Sequence, residues 1–199
     1  MHIQQVPPKK QLSRRGFIGR GTTATLSVAG LSVLSGGALA MASRKGAKEE
    51  PSTDAGLINT ALSLEHEGIA AYQIAAESGV LNDAVLQVGI LFQSHHKGHR
   101  DELIKAVREL GGTPVEAKAI SEYAEALGAD KLKSQADILQ LAISLELGAA
   151  NAYLGVIPSL SDHEFGHLFA RLAADEAMHW TALKGAVGEA LPKNALYFG

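Results

Sequence analysis

The sequence predicts an all-α protein: four long helices forming a bundle, arranged as two helix hairpins joined by a long crossover that contains a short helix. Three observations predict it. Apolar residues recur at three- and four-residue intervals over long stretches, Leu and Ala dominate while β-branched runs are scarce, and Gly and Pro punctuate the chain between the patterns. At 199 residues, 46% hydrophobic and 20% charged, the chain is long enough to bury one domain's core.

Taken in order, residues 43–53 ("SRKGAKEEPST") are polar and read as a linker, with Ser52, Thr53 or Asp54 capping the first helix. That helix is expected over 54–79, the second over 83–110, the third over 134–157 and the fourth over 162–190, leaving 191–199 as a tail. Asn82 suits the cap of the second helix and Gly111-Gly112 its stop. Pro158 closes the third, and Ser161 with Glu164 has the spacing of a capping box for the fourth. The stretch between Gly111 and Ser134 is far longer than an ordinary helix connection, and its middle, 114–127, has helical composition.

The first 42 residues stand apart. "SRRGFIG" (Ser13 to Gly19) precedes an uncharged Gly/Ser/Thr/Ala-rich stretch that ends in small residues, which resembles a twin-arginine (Tat) signal peptide. Cleavage would follow Ala40 or Ala42, and the segment is too weakly hydrophobic for a lasting anchor. The resemblance implies export to the periplasm or beyond, by a route that carries folded proteins. Loss of Lys9, Lys10, Arg14, Arg15 and Arg20 leaves 13 of the 18 Lys/Arg against all 21 Asp/Glu, a net charge of −8. Such a surface disfavours nucleic acid and anionic lipid, so neither is expected as a partner, and no stable membrane insertion is expected after cleavage. With no cysteine, thiolate metal sites, iron–sulfur clusters and disulfides are excluded, and any metal must be held by Glu, Asp or His.

The helical region echoes itself. Ser63-Leu64-Glu65 and Tyr72 match Ser144-Leu145-Glu146 and Tyr153 at an offset of 81; His99, Leu103, Ala106-Val107 and Glu109 match His179, Leu183, Ala186-Val187 and Glu189 at an offset of 80. Polar residues align as well as apolar ones, which favours an internal repeat over the similarity of any two Ala/Leu-rich helices.

Each helix interrupts its apolar stripe near the middle. On the first, Glu65 shares a face with Leu62, Ile69 and Tyr72; on the second, His96 and His99 fill the gap in Val85, Val88, Phe92, Leu103, Val107 and Leu110. On the third, Glu146 lies among Leu139, Ile143 and Ile157; on the fourth, Glu176 and His179 interrupt Phe165, Phe169, Leu172, Leu183 and Val187. No Lys or Arg shares these faces, so three inward carboxylates would be driven toward protonation unless a cation joined them. One divalent ion, or two, meets that need and uses the histidines.

One Glu on the first and third helices with Glu-x-x-His on the second and fourth is the ligand set of ferritin-like di-iron and di-manganese carboxylate proteins, which residues 54–190 resemble. Glu65, His99, Glu146, Glu176 and His179 match it directly. Tyr72 and Tyr153, seven residues after the single glutamates, resemble the rubrerythrin branch, in which such tyrosines lie near the metals. The resemblance implies a ferritin-like four-helix bundle holding two divalent ions, iron first with manganese or zinc as alternatives. Glu65, His96 and His99 would hold one ion and Glu146, Glu176 and His179 the other, with Glu176 bridging. It implies oxidase or peroxide-consuming chemistry on oxygen or peroxide, fed by an external electron donor because no cysteines exist for a rubredoxin module, and it allows a homodimer.

One position departs from the pattern, since His96 stands where the second helix of the family carries a bridging Glu. The pair of ions is then asymmetric, or only one binds. His95 also reaches His99 at helical spacing, but the repeat favours His96 as ligand and leaves His95 in the surrounding shell with Tyr72, Tyr153 and Glu102. His163 and His167 point away from Glu176, and His66 and Glu67 lie off the apolar face. A static, non-enzymatic metal site and a decayed structural bundle are the competing expectations.

Overall fold

The computed structural model describes residues 53–199. The twin-arginine motif, both cleavage positions and all of the linker except Thr53 fall outside the described residues. Within them the chain is all-helical: α1 (Thr53–Glu77), α2 (Asp83–Glu109), a short α3 (Ile120–Ala126), α4 (Gln135–Val156) and α5 (His163–Ala186). Short 3-10 turns at Ala129–Lys131 and Ile157–Ser159 flank α4. α1 packs along α2 and α4 along α5; α1 also meets α4 and α3, and α2 approaches α5.

The helix ends follow local chemistry, in places differently from the sequence expectation. Asn82 caps α2 by accepting the Val85 N–H at 3.0 Å. α1 stops at Glu77 rather than 79, because Ser78 turns back onto the Ala75 carbonyl and Gly79 adopts a φ of +71°, open chiefly to glycine. α5 ends at Ala186 rather than 190, where Gly188 at φ +70° and a Lys184–Glu189 ion pair reverse the chain. The expected Ser161/Glu164 capping box does not form. Asp162 caps α5, accepting the Glu164 N–H at 2.8 Å, while the Ser161 N–H is held by Asp54 at 3.0 Å. Asp54, expected as a possible cap of α1, thus ties the first turn of α1 to the start of α5.

The crossover forms less helix than its composition suggests. Asn59 on α1 donates to the Thr113 carbonyl and accepts the Val115 N–H, and the His66 ring bonds the Val115 carbonyl at 3.0 Å. Those bonds hold the backbone of Thr113 to Val115 along α1, so helix begins only at Ile120, where the Glu122 carboxylate accepts the Ala119 N–H. Buried Tyr123 anchors the segment and accepts the Lys118 N–H.

The interior is layered. Ile58, Leu62, Leu103, Val107, Phe169 and Leu172 form one apolar cluster, and Phe92, Leu139, Ile143, Trp180 and Leu183 form another with the Tyr72 ring. Along every long helix the buried Glu and His residues fall between the two. Burial of each large apolar side chain contributes roughly 1.5–3 kcal/mol, so the two clusters clamp the polar layer from both sides. The tail folds back over the second cluster: Tyr197 stacks on Trp180, Phe198 meets it edge-on, and the Gly199 N–H reaches Asn151 Oδ1 at 2.8 Å. Val88, expected inside, is 42% exposed, at the rim of an apolar cavity of about 280 Å3 that Tyr72, Val85 and Leu139 also line. Gln135–Ser159 is long and apolar enough by composition to cross a bilayer. Its central buried Glu146 and its packing on α5 are those of a bundle helix.

Replacing Asp54 with Ala leaves the Ser161 and Asp162 amides without their acceptor, and a stability loss of about 1–3 kcal/mol is expected in urea unfolding. Asp83→Ala, at an exposed position, serves as the control.

Candidate metal centre

Helical spacing brings six side chains from four helices into one buried layer: Glu65 from α1, His96 and His99 from α2, Glu146 from α4, Glu176 and His179 from α5. The three carboxylates are no more than 1% exposed. Glu65 Oε2 lies 2.8 Å from His96 Nδ1, and Glu65 Oε1 lies 3.5 Å from His99 Nδ1. Glu146 Oε1 sits 3.5 Å from His179 Nδ1 and 3.4 Å from His96 Nε2. Glu176 reaches both sides, with Oε1 3.2 Å from His99 Nδ1 and Oε2 3.1 Å from His179 Nδ1.

A second ring of groups orients the first. Tyr72 on α1 donates its hydroxyl to Glu146 on α4, and Tyr153 on α4 donates to Glu65 on α1, so each hairpin fixes the other's glutamate. His95 Nδ1 bonds His179 Nε2 at 2.9 Å, and Asp175 Oδ2 bonds His99 Nε2 at 3.1 Å. Both contacts occupy the outer ring nitrogen and leave Nδ1 facing the carboxylates, as an outer partner does for a ligating histidine. Asp175 went unnoticed in the sequence, although it follows His95 at the same offset of 80 that relates His99 to His179. Glu102 is exposed and takes no part, because Leu103 occupies the inward position one residue later. His163 and His167 are exposed, and His66 serves the crossover.

Protonation follows from these contacts. Burial raises the Glu65 and Glu146 carboxyls, but the adjacent His96 and His99 imidazoles at the first, and His179 and His96 at the second, outweigh it and hold both below the ordinary 4.5. Glu176 is held above it by burial, which His179 and His99 only partly offset. Burial opposes charge on the histidines, yet their carboxylate neighbours win: His99 is pushed up to about 10, and His96 and His179 also rise. His95 is lowered by burial and by the neighbouring His179. Burial, then the adjacent Glu146 or Glu65 charge, holds the Tyr72 and Tyr153 hydroxyls protonated well above 10. Without metal, the imidazolium groups themselves supply the counter-charge that the absence of Lys and Arg withholds.

The donor set fits divalent cations. Glu65, His96, His99 and Glu176 form one group that could hold an ion, and His96, Glu146, Glu176 and His179 form another, the ligand atoms of each lying within 4.8 Å of one another. His99 Nδ1, Glu146 Oε2 and Glu176 Oε1 are buried without a hydrogen-bond partner, three orphaned atoms in one layer. Oxygen and imidazole donors of this kind suit iron, manganese and zinc.

Two helix hairpins closed over a buried Glu/His layer make a four-helix bundle whose inward side chains could hold a metal ion. Residues 53–189 match the model of the ferritin-like domain family, and the chain belongs to that family. It is similar to the crystal structure of a conserved hypothetical protein, rv2844, from Mycobacterium tuberculosis, at 23% identity, covering 72% of this chain and 96% of that one with a TM-score of 0.58. That likeness concerns the fold. No curated protein matches the chain.

The pH dependence of the metal-free protein follows in sign. Stability from the raised histidines is complete below their ordinary 6.5 and is lost as pH rises toward the folded value, about 10 for His99. Stability from Glu65 and Glu146 is present above 4.5 and is lost on acidification through their lowered values. Thermal melts of chelator-treated protein should therefore peak between pH 4.5 and 6.5 and decline on either side. A Tm rising steadily into the alkaline range contradicts the assignment.

Proposed function

We propose that this chain is an exported ferritin-like protein that binds two divalent ions, iron first and manganese or zinc as alternatives, and that its iron form consumes oxygen or peroxide. The observation that carries metal binding is the pair of four-residue groups, wholly buried, that share Glu176 and His96. Glu65, His96 and His99 would hold one ion, Glu146, Glu176 and His179 the other, with Glu176 reaching both. When bound in its reduced state, iron supplies the redox chemistry; the chain supplies position and exclusion of bulk water. Tyr72 and Tyr153 keep their protons and fix the two single glutamates from the opposite hairpin. The likeness of these tyrosines to the rubrerythrin branch supports the redox reading, and the Arg14-Arg15 motif supports periplasmic export. Reducing equivalents must come from another molecule, since the chain has no cysteine for a rubredoxin-like module.

A second reading is a static, non-enzymatic metal site. His96 favours it, because an imidazole replaces a carboxylate where oxygen-activating pairs are usually acid-rich.

Protein refolded with Fe2+, Mn2+ or Zn2+ should retain metal after desalting. Glu146→Ala or His179→Ala should lose half or more of it, and His163→Ala none. Equal loss in all three variants rules out the ligand assignment. A change in visible absorption when oxygen or peroxide meets the ferrous protein separates the redox reading from the static one; an unchanged spectrum favours the static site.

A further inference from the structure

We propose that His96 is a two-ended ligand whose imidazole bridges the two ions, Nδ1 serving the ion held with Glu65 and His99 and Nε2 the ion held with Glu146 and His179. The inference rests on the metal-binding reading above and specifies how its departure from the family pattern is resolved. A histidine in place of a carboxylate would ordinarily be assigned to one ion. The contacts say otherwise. Nδ1 of His96 lies 2.8 Å from Glu65 and 3.7 Å from Glu176, while Nε2 lies 3.4 Å from Glu146. The ring therefore has one nitrogen in each half of the layer.

Glu176, at the equivalent position in the repeat, does the same with its two oxygens, facing His99 with one and His179 with the other. His96 and Glu176 are the two residues common to both candidate metal groups. The surroundings make room for the ring. A Cβ on Gly68, one turn beyond Glu65 on α1, would lie 3.2 Å from His96 Cε1 and Nδ1, so glycine leaves the space that an imidazole needs. At the position equivalent to Gly68 by the offset of 81 stands Ala149.

Charge supports the same arrangement. Glu65, Glu146 and Glu176 bring −3 against +4 for two divalent ions, and Asp175 bonds the outer nitrogen of His99 from beyond the layer. An imidazole that binds metal through both nitrogens has given up its last ring proton and carries −1, which completes the neutralisation. Starting from the imidazolium of the metal-free layer, two N–H bonds break, two N–metal bonds form, both protons leave to buffer, and no electron is transferred.

The test uses Zn2+, which has no redox chemistry of its own, on the full chain with 15N-labelled histidine. The expected result is two Zn2+ per chain by elemental analysis, with neither ring nitrogen of His96 carrying a proton in the NMR spectrum. His96→Ala should hold one Zn2+, and His96→Glu, which restores a bridging carboxylate, should hold two. Gly68→Ala crowds the ring at a helical position that accepts alanine, and should weaken the second Zn2+ while leaving the helical content unchanged. A zinc pair with a proton remaining on one His96 nitrogen overturns the bridge and leaves the metal site standing, as does a single Zn2+ in the unaltered chain. Failure of the unaltered chain to take up Zn2+, Fe2+ or Mn2+ removes the metal reading and the bridge together.

Discussion

The structure depends on one constraint: carboxylates buried to 1% exposure or less must find positive charge within the bundle, since leaving one unpaired there costs several kcal/mol. Every other feature of the centre answers it. Helical spacing delivers the three glutamates to one level, three histidines meet them at 2.8–3.5 Å, and two tyrosines reach across from opposite hairpins to hold the single glutamates still. Apolar clusters above and below bury the layer, which strengthens each of those contacts and raises the cost of breaking any one.

The two halves are built alike but are not chemically equal. The outer nitrogen of His99 faces the carboxylate of Asp175, and that of His179 faces the lowered, uncharged imidazole of His95. An anionic partner makes His99 the stronger donor, and a neutral partner leaves His179 the weaker one. The two halves of the layer therefore differ in the partner that stands behind each histidine.

Much of this was legible in the sequence because periodicity reports on faces. Glu65, His96, His99, Glu146, Glu176 and His179 each interrupt an apolar stripe, and a stripe of period 3.6 turns its central members to the core, while Val88 near the end of its stripe stays exposed. Tyr72 and Tyr153 were visible for the same reason. Contacts made across the bundle carry no period, and there the sequence was silent or misleading. Asp54 looks like a helix cap but serves the far end of the chain at Ser161; Asp175 looks like one acid among many until the histidine behind it is placed. Glu102 looked available because it follows His99 by three residues, but the bundle turns Leu103 inward instead. The crossover, helical by composition, is straightened by bonds to Asn59 and His66 that only folding brings within reach.

The most direct measurement is the thermal stability of the full chain against the concentration of free Fe2+ or Mn2+ at fixed pH, compared with a variant in which Glu65, Glu146 and Glu176 are all Gln. An ion that binds only the folded chain adds about 4 kcal/mol at a thousandfold excess over its dissociation constant, so Tm should climb with the logarithm of metal concentration in the unaltered chain. It should stay level in the variant, whose uncharged layer needs no cation. A melting temperature indifferent to metal in both proteins would mean that the histidines alone satisfy the buried acids, and the bundle would then be a structure without a metal centre.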